Sequence, residues 1–163
     1  MSADPIETAW KIHAALVDWT GKVDTKASFA LTIESALLGG VVALSGDGRV
    51  FHDLAGASVV WYVLGVFTLA LSVLCVVLVV RPRLRRGGLQ SEARGNFVYF
   101  GHLRHLDAAA VQNHLETSDL LPVLSKQLVE MSKIAWTKHR LVQVSMSLAP
   151  VGVLFLVISS LCA

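Results

Sequence analysis

Arg94, Asn96, Phe97, Tyr99 and Phe100 stand within one seven-residue stretch, "RGNFVYF", and these residue types suit a flat, anionic heterocycle. Aromatic faces stack on a base, amides read its edge and a guanidinium suits phosphate. The same aromatics would also serve as the small core of a soluble region, and the spacing alone does not choose between the two. A second group with chemical potential is Glu34, the one carboxylate in the greasy stretch "FALTIESALLGGVVALS". A charge facing lipid costs at least ~2.5 kcal/mol, so Glu34 must face protein or water. It registers one helix against another through a hydrogen bond, lines a water-filled path between assembled copies, or, where the span begins later in the chain, sits at the membrane interface. Gln143, Ser145 and Ser147 lie at a similar depth in another apolar segment, and Gln143 and Ser147 are the partners assigned to it in a seam or pore. His102, His105 and His114 with Glu116 match no metal-ligand spacing, so no metal site is expected. No phosphate loop, dinucleotide fingerprint, nucleophile elbow or zinc-protease helix is present. The sequence therefore points to neither an enzyme nor a cofactor.

These groups must be positioned by helices in a membrane. The chain has 163 residues, 54% of them hydrophobic and 16% charged, with a mean hydropathy of +0.61. Residues 58–80 and 141–163 carry no charge, and each exceeds the roughly 20 helical residues that cross a bilayer core. Residues 29–45 are shorter and contain Glu34, but tilt or an early start lets them span. The expected fold is an all-α membrane protein with three transmembrane helices (29–45, 58–80 and 141–163), an external loop at 46–57, and cytosolic segments at 1–28 and 81–140. Extensions of the first and third spans are expected to form a helical cytosolic stalk. The first 28 residues are polar and of mixed charge, unlike a cleaved signal peptide. Cys75 and Cys162 fall at opposite membrane faces, so they are expected as packing residues without a disulfide.

Orientation follows from the basic residues, which the inner side of a membrane retains. Residues 81–140 hold ten Lys/Arg against five Asp/Glu, including "RPRLRR" at 81–86, whereas the loop at 46–57 has only Arg49. A cytosolic N-terminus results, and the basic balance of 81–140 suits an anionic ligand or lipid headgroups. Asp4, Pro5 and Glu7 form a helix start with a capping box. Ile12, Leu16, Trp19 and Val23 then define one face, which continues through Ala27, Ala30, Glu34, Leu37 and Val41. Leu121, Leu124, Leu128, Met131 and Ala135 form a heptad-like seam after Ser118 or Asp119 as cap. "NFVYFGHLRHL" is expected to be helical, and 107–116 a short helix capped by Asp107.

The run Asp24, Lys26, Ala27 and Ser28 entering a first span, Asn96, Phe97, Phe100 and Gly101 after a basic exit, and Lys138 with His139 before a last span resembles the transmembrane effector family of the Pycsar anti-phage systems. The resemblance covers nearly the whole chain. It implies a defence protein of the bacterial inner membrane whose functional partner, a pyrimidine nucleotide cyclase, makes cyclic CMP or cyclic UMP. The effector would bind that ligand on its cytosolic side, form a homo-oligomer and disrupt the bilayer, without acting on a nucleic acid polymer. A nucleotide needs a cation, an apolar or aromatic surface and hydrogen-bonding partners for its base. Those are expected from Asp24, Lys26, Arg94, Asn96, Phe97, Tyr99, Lys133 and Lys138. The rival reading is a constitutive membrane scaffold whose stalk binds a protein partner.

Overall fold

The computed structural model describes residues 4–82 and 87–163, and the basic residues Arg83, Arg85 and Arg86 of the second span's exit lie outside the described residues. The described chain is all helical: α1 (Pro5–Leu44), α2 (Ala57–Val80), α3 (Leu89–Glu92), a 3-10 turn (Ala93–Gly95), α4 (Phe100–Leu103), α5 (Ala108–Thr117) and α6 (Leu120–Leu161). Local chemistry starts the helices. Asp4 Oδ1 accepts the Ile6 amide at 3.0 Å ahead of Pro5, Asp107 Oδ1 accepts that of Ala110 at 2.7 Å, and Asp119 Oδ1 accepts that of Leu121 at 3.1 Å. Glu7 pairs with Lys11, one turn further along, at 2.7 Å. Nothing interrupts α1 between Pro5 and Leu44, and α6 continues through Pro150. The "NFVYFGHLRHL" segment yields only the single turn α4, preceded by turns rather than helix.

The chain divides into two compact units, to each of which α1 and α6 contribute. The membrane unit comprises Lys22–Arg81 and Lys138–Ala163. Among the described residues, α1, α2 and α6 are the helices long and apolar enough to cross a bilayer, which makes this a multi-pass membrane protein. Within the unit, α2 runs antiparallel to α6 along a seam of small residues. Ser159 Oγ donates to the Ser58 carbonyl at 2.8 Å. Seven residues along each helix, a Cβ on Gly152 would lie 3.1 Å from the Gly65 carbonyl oxygen and 2.8 Å from Leu69 Cγ. Seven further, Ser72 meets Ser145. The seven-residue step keeps one stripe of each helix facing the other, and small residues let the backbones approach. α1 adds Val23 and Ala27 against Val76, Val79 and Val142, and Val41 against Leu69 and Leu156. Phe29, Ile33, Val42, Phe67 and Leu154 point outward, where lipid replaces the core. Cys75 and Cys162 are free thiols.

The other unit comprises residues up to Gly21 and Pro82–Thr137. Its α6 seam follows the expected register, with Leu124 and Ala135 buried and Leu128 and Met131 half-buried, while Leu121 is exposed. On α1 the buried side is turned by one residue. Ala9 and Leu16 are buried and His13 and Thr20 half-buried, whereas Ile12 and Trp19 are 46% and 54% exposed. An alternation of three and four fits either stripe, so periodicity alone does not say which side the helix buries.

Candidate functional site

Two polar constellations stand out, one in each unit. In the membrane unit Glu34 is 3% exposed and Ser72 and Ser145 are fully buried. Ser145 Oγ donates to Glu34 Oε1 at 2.6 Å, and Ser72 Oγ donates to the Ser145 carbonyl at 2.9 Å with the Ser145 hydroxyl 3.0 Å away. One polar knot thus ties all three spans, and Glu34 Oε2 has no partner among the described residues. The partners named from sequence, Gln143 and Ser147, are not the ones Glu34 meets. Both are exposed, and Ser147 Oγ turns back onto the Gln143 carbonyl at 2.9 Å. A one-turn spacing puts 143 and 147 on one face of α6, and Ser145 stands on another, toward the seam.

Near the start of the spans Lys138 Nζ donates to both oxygens of Asp24, at 2.6 and 2.7 Å, so each side chain's charge is met by the other's. Lys26 is exposed.

In the other unit the aromatic cluster separates into distinct roles. Phe97 is buried and stacks flat on His114, with ring centroids 5.2 Å apart and planes 10° from parallel. Phe100 is 64% exposed. Tyr99 lies over Gly101, where an added Cβ would come within 3.0 Å of Tyr99 Cζ and run into the ring. Arg94 belongs to the 3-10 turn, and its side chain lies outside the described residues. Lys133 is exposed and pairs with Glu130 on its own helix at 2.8 Å.

Beside Tyr99 is a cavity of about 150 Å³. Asn96, Tyr99 and His102 form one wall, and the α6 residues Lys126, Gln127, Glu130, Met131 and Ile134 the other. Asn96 is buried; with its amide oriented so that donors meet acceptors, it accepts from Lys126 Nζ at 2.8 Å and donates to the Gly95 carbonyl at 3.0 Å. His102 is 3% exposed, its Nδ1 lies 3.0 Å from the Asn96 carbonyl, and its Nε2 has no partner among the described residues. Among the described residues no cluster of His, Cys, Asp and Glu could hold a metal. The residues brought together here are thus Asn96 and Tyr99 from the sequence-derived set, with His102, Lys126 and Gln127 added. From the sequence, His102 is weighed only as a metal ligand with His105, His114 and Glu116, and nothing in its spacing ties it to α6.

Comparison with protein families matches residues 8–163 to the Pycsar effector protein domain, PycTM. The chain belongs to this family. Neither a curated protein nor a solved structure matches it. Membership of the Pycsar effector family, together with the three spans, makes the protein an anti-phage defence membrane effector. The family also implies a cyclic nucleotide signal from a cyclase, and association with a membrane.

Proposed function

We propose that this Pycsar effector senses cyclic CMP or cyclic UMP on the cytosolic side of the bacterial inner membrane, assembles into a homo-oligomer and breaches the bilayer, ending the infected cell. The observation that carries this reading is the family match across residues 8–163 of a chain with three spans. A basic balance in 81–140 favours an anionic ligand on the side that retains Lys and Arg. Trp10, Trp19 and Trp136 are exposed in the unit formed by residues up to Gly21 and Pro82–Thr137, and self-association would cover such rings. Three helices are too few to enclose a channel, so a breach needs several copies. Because Glu34 is buried inside its own three-helix seam, a path that uses it requires the seam to part. A ligand drives that change only through its higher affinity for the parted state. α1 and α6 contribute to both units and are the covalent route.

Liposomes loaded with a fluorescent dye and carrying the purified protein test the proposal. Leakage is expected on adding cyclic CMP or cyclic UMP and not without them. Inserted protein that leaks with neither would move the scaffold reading ahead. Orientation is checked separately with single cysteines in a background lacking Cys75 and Cys162. Ser91→Cys is expected to label from the cytosolic side and Asp47→Cys from the external side, and labelling of both from one side would remove the three-span topology.

A further inference from the structure

Resting on the nucleotide-sensing reading, we propose that the cavity beside Tyr99 receives the base of the cyclic pyrimidine nucleotide, with His102 Nε2 accepting a base N–H and Lys126 holding the cyclic phosphate at the mouth. The argument begins with a proton count. A carbonyl only accepts, so His102 Nδ1, at 3.0 Å from the Asn96 carbonyl, carries the hydrogen. In a neutral imidazole Nε2 is then an acceptor. His102 lines the cavity, and this buried acceptor has no partner among the described residues. Buried polar atoms are nearly always satisfied, and one left open in a cavity wall suits a donor that arrives with a ligand.

The remaining wall has the chemistry of a base site. The Asn96 and Gln127 amides offer donors and acceptors for the ring edge, and Met131, Ile134 and the Tyr99 ring supply the apolar flank. Cytosine brings an exocyclic amine and uracil a ring N–H, so either base has a donor for His102. Lys126 carries three protons, of which Asn96 takes one at 2.8 Å, and its exposed position leaves the others for an anion. Size sets a limit as well. Pockets for drug-sized ligands run from about 300 Å³ upward. A cavity of about 150 Å³ accepts a single ring and leaves ribose and phosphate outside. Purines, with two fused rings, are disfavoured. Lys126 and Gln127 lie on α6, the helix that also carries Ser145 of the polar knot, so the ligand would act directly on a spanning helix.

Calorimetry on the detergent-solubilised full chain tests the site, with cyclic CMP, cyclic UMP and cyclic AMP as probes. The parent is expected to bind at least one pyrimidine nucleotide and to bind cyclic AMP at least about tenfold more weakly. Lys126→Ala and His102→Phe are each expected to weaken pyrimidine binding about tenfold or more, the loss of one strong ligand hydrogen bond. Lys11→Ala, which removes an equal charge elsewhere on the same unit, should bind as the parent does. Thermal unfolding in detergent shows whether each variant folds. If His102→Phe does not, Lys126→Ala and the cavity-filling Met131→Trp carry the test. A parent that binds pyrimidine nucleotides while Lys126→Ala and the folded cavity variants bind equally well overturns this site alone and leaves nucleotide sensing standing. A weakened Lys26→Ala beside an unaffected Lys126→Ala does the same. Tight cyclic AMP binding overturns the ring-size argument. A parent that binds no pyrimidine nucleotide overturns the sensing reading, and this site with it.

Discussion

Gly152→Ala is expected to separate α2 from α6 and to abolish nucleotide-triggered dye leakage. The new methyl carbon would lie 2.8 Å from Leu69 Cγ and 3.1 Å from both the Gly65 carbonyl oxygen and the Leu69 amide nitrogen. Carbon atoms pack best at about 3.5–4.0 Å, and two of the three obstacles are backbone atoms that no rotamer change removes. The helices must move apart, which strains the Ser58–Ser159 and Ser72–Ser145 contacts on either side. Overpacking of this kind typically costs about 1–3 kcal/mol. Gly39→Ala makes the control, since a Cβ there meets nothing within 4 Å. A helical Gly→Ala change without a clash gains up to about 1 kcal/mol. The two substitutions should therefore move the thermal midpoint in detergent in opposite directions. Equal midpoints would show that the glycine crossing is not a close contact in solution.

Glu34→Leu is expected to silence leakage while leaving the fold largely intact, and Glu34→Gln to retain leakage. Gln keeps a carbonyl oxygen where Oε1 accepts from Ser145 at 2.6 Å. Leu removes the acceptor, but Ser145 can then donate back along its own helix, as Ser147 does to Gln143. Hydrogen bonds between membrane helices average only about 0.6 kcal/mol, so Glu34→Leu should shift the unfolding midpoint little. Its effect on function should be large, because Leu takes the carboxylate out of the seam and leaves only serine hydroxyls for water to follow when the helices part. Dye release and thermal unfolding measured on the same preparations separate the two contributions. Leakage unchanged by Leu would mean that Glu34 has no part in the seam or the path.

The sequence by itself determined what depends on neighbours along the chain. The charge-free runs at 58–80 and 141–163 are long enough to span wherever they are placed, and α2 and α6 duly pass through them. Asp4, Asp107 and Asp119 cap helices because a cap is set within three residues. Glu34 had to face protein or water because lipid offers a carboxylate nothing, and it is buried. Ser58, Gly65 and Ser72, like Ser145, Gly152 and Ser159, are small residues at seven-residue intervals, a signal visible in the sequence alone. Which member meets which needed the antiparallel register of the assembled helices. Tertiary structure alone decided that Glu34 takes Ser145 rather than Gln143 or Ser147, since all three lie at a similar depth and only the rotation of α6 distinguishes them. It likewise chose His13 and Thr20 over Ile12 and Trp19 on α1, because two adjacent stripes share the same three-and-four spacing. The cavity was out of reach for a related reason. Asn96 and Lys126 are thirty residues apart on different elements, and a hydrogen bond of 2.8 Å between them belongs to the fold, not to any local pattern.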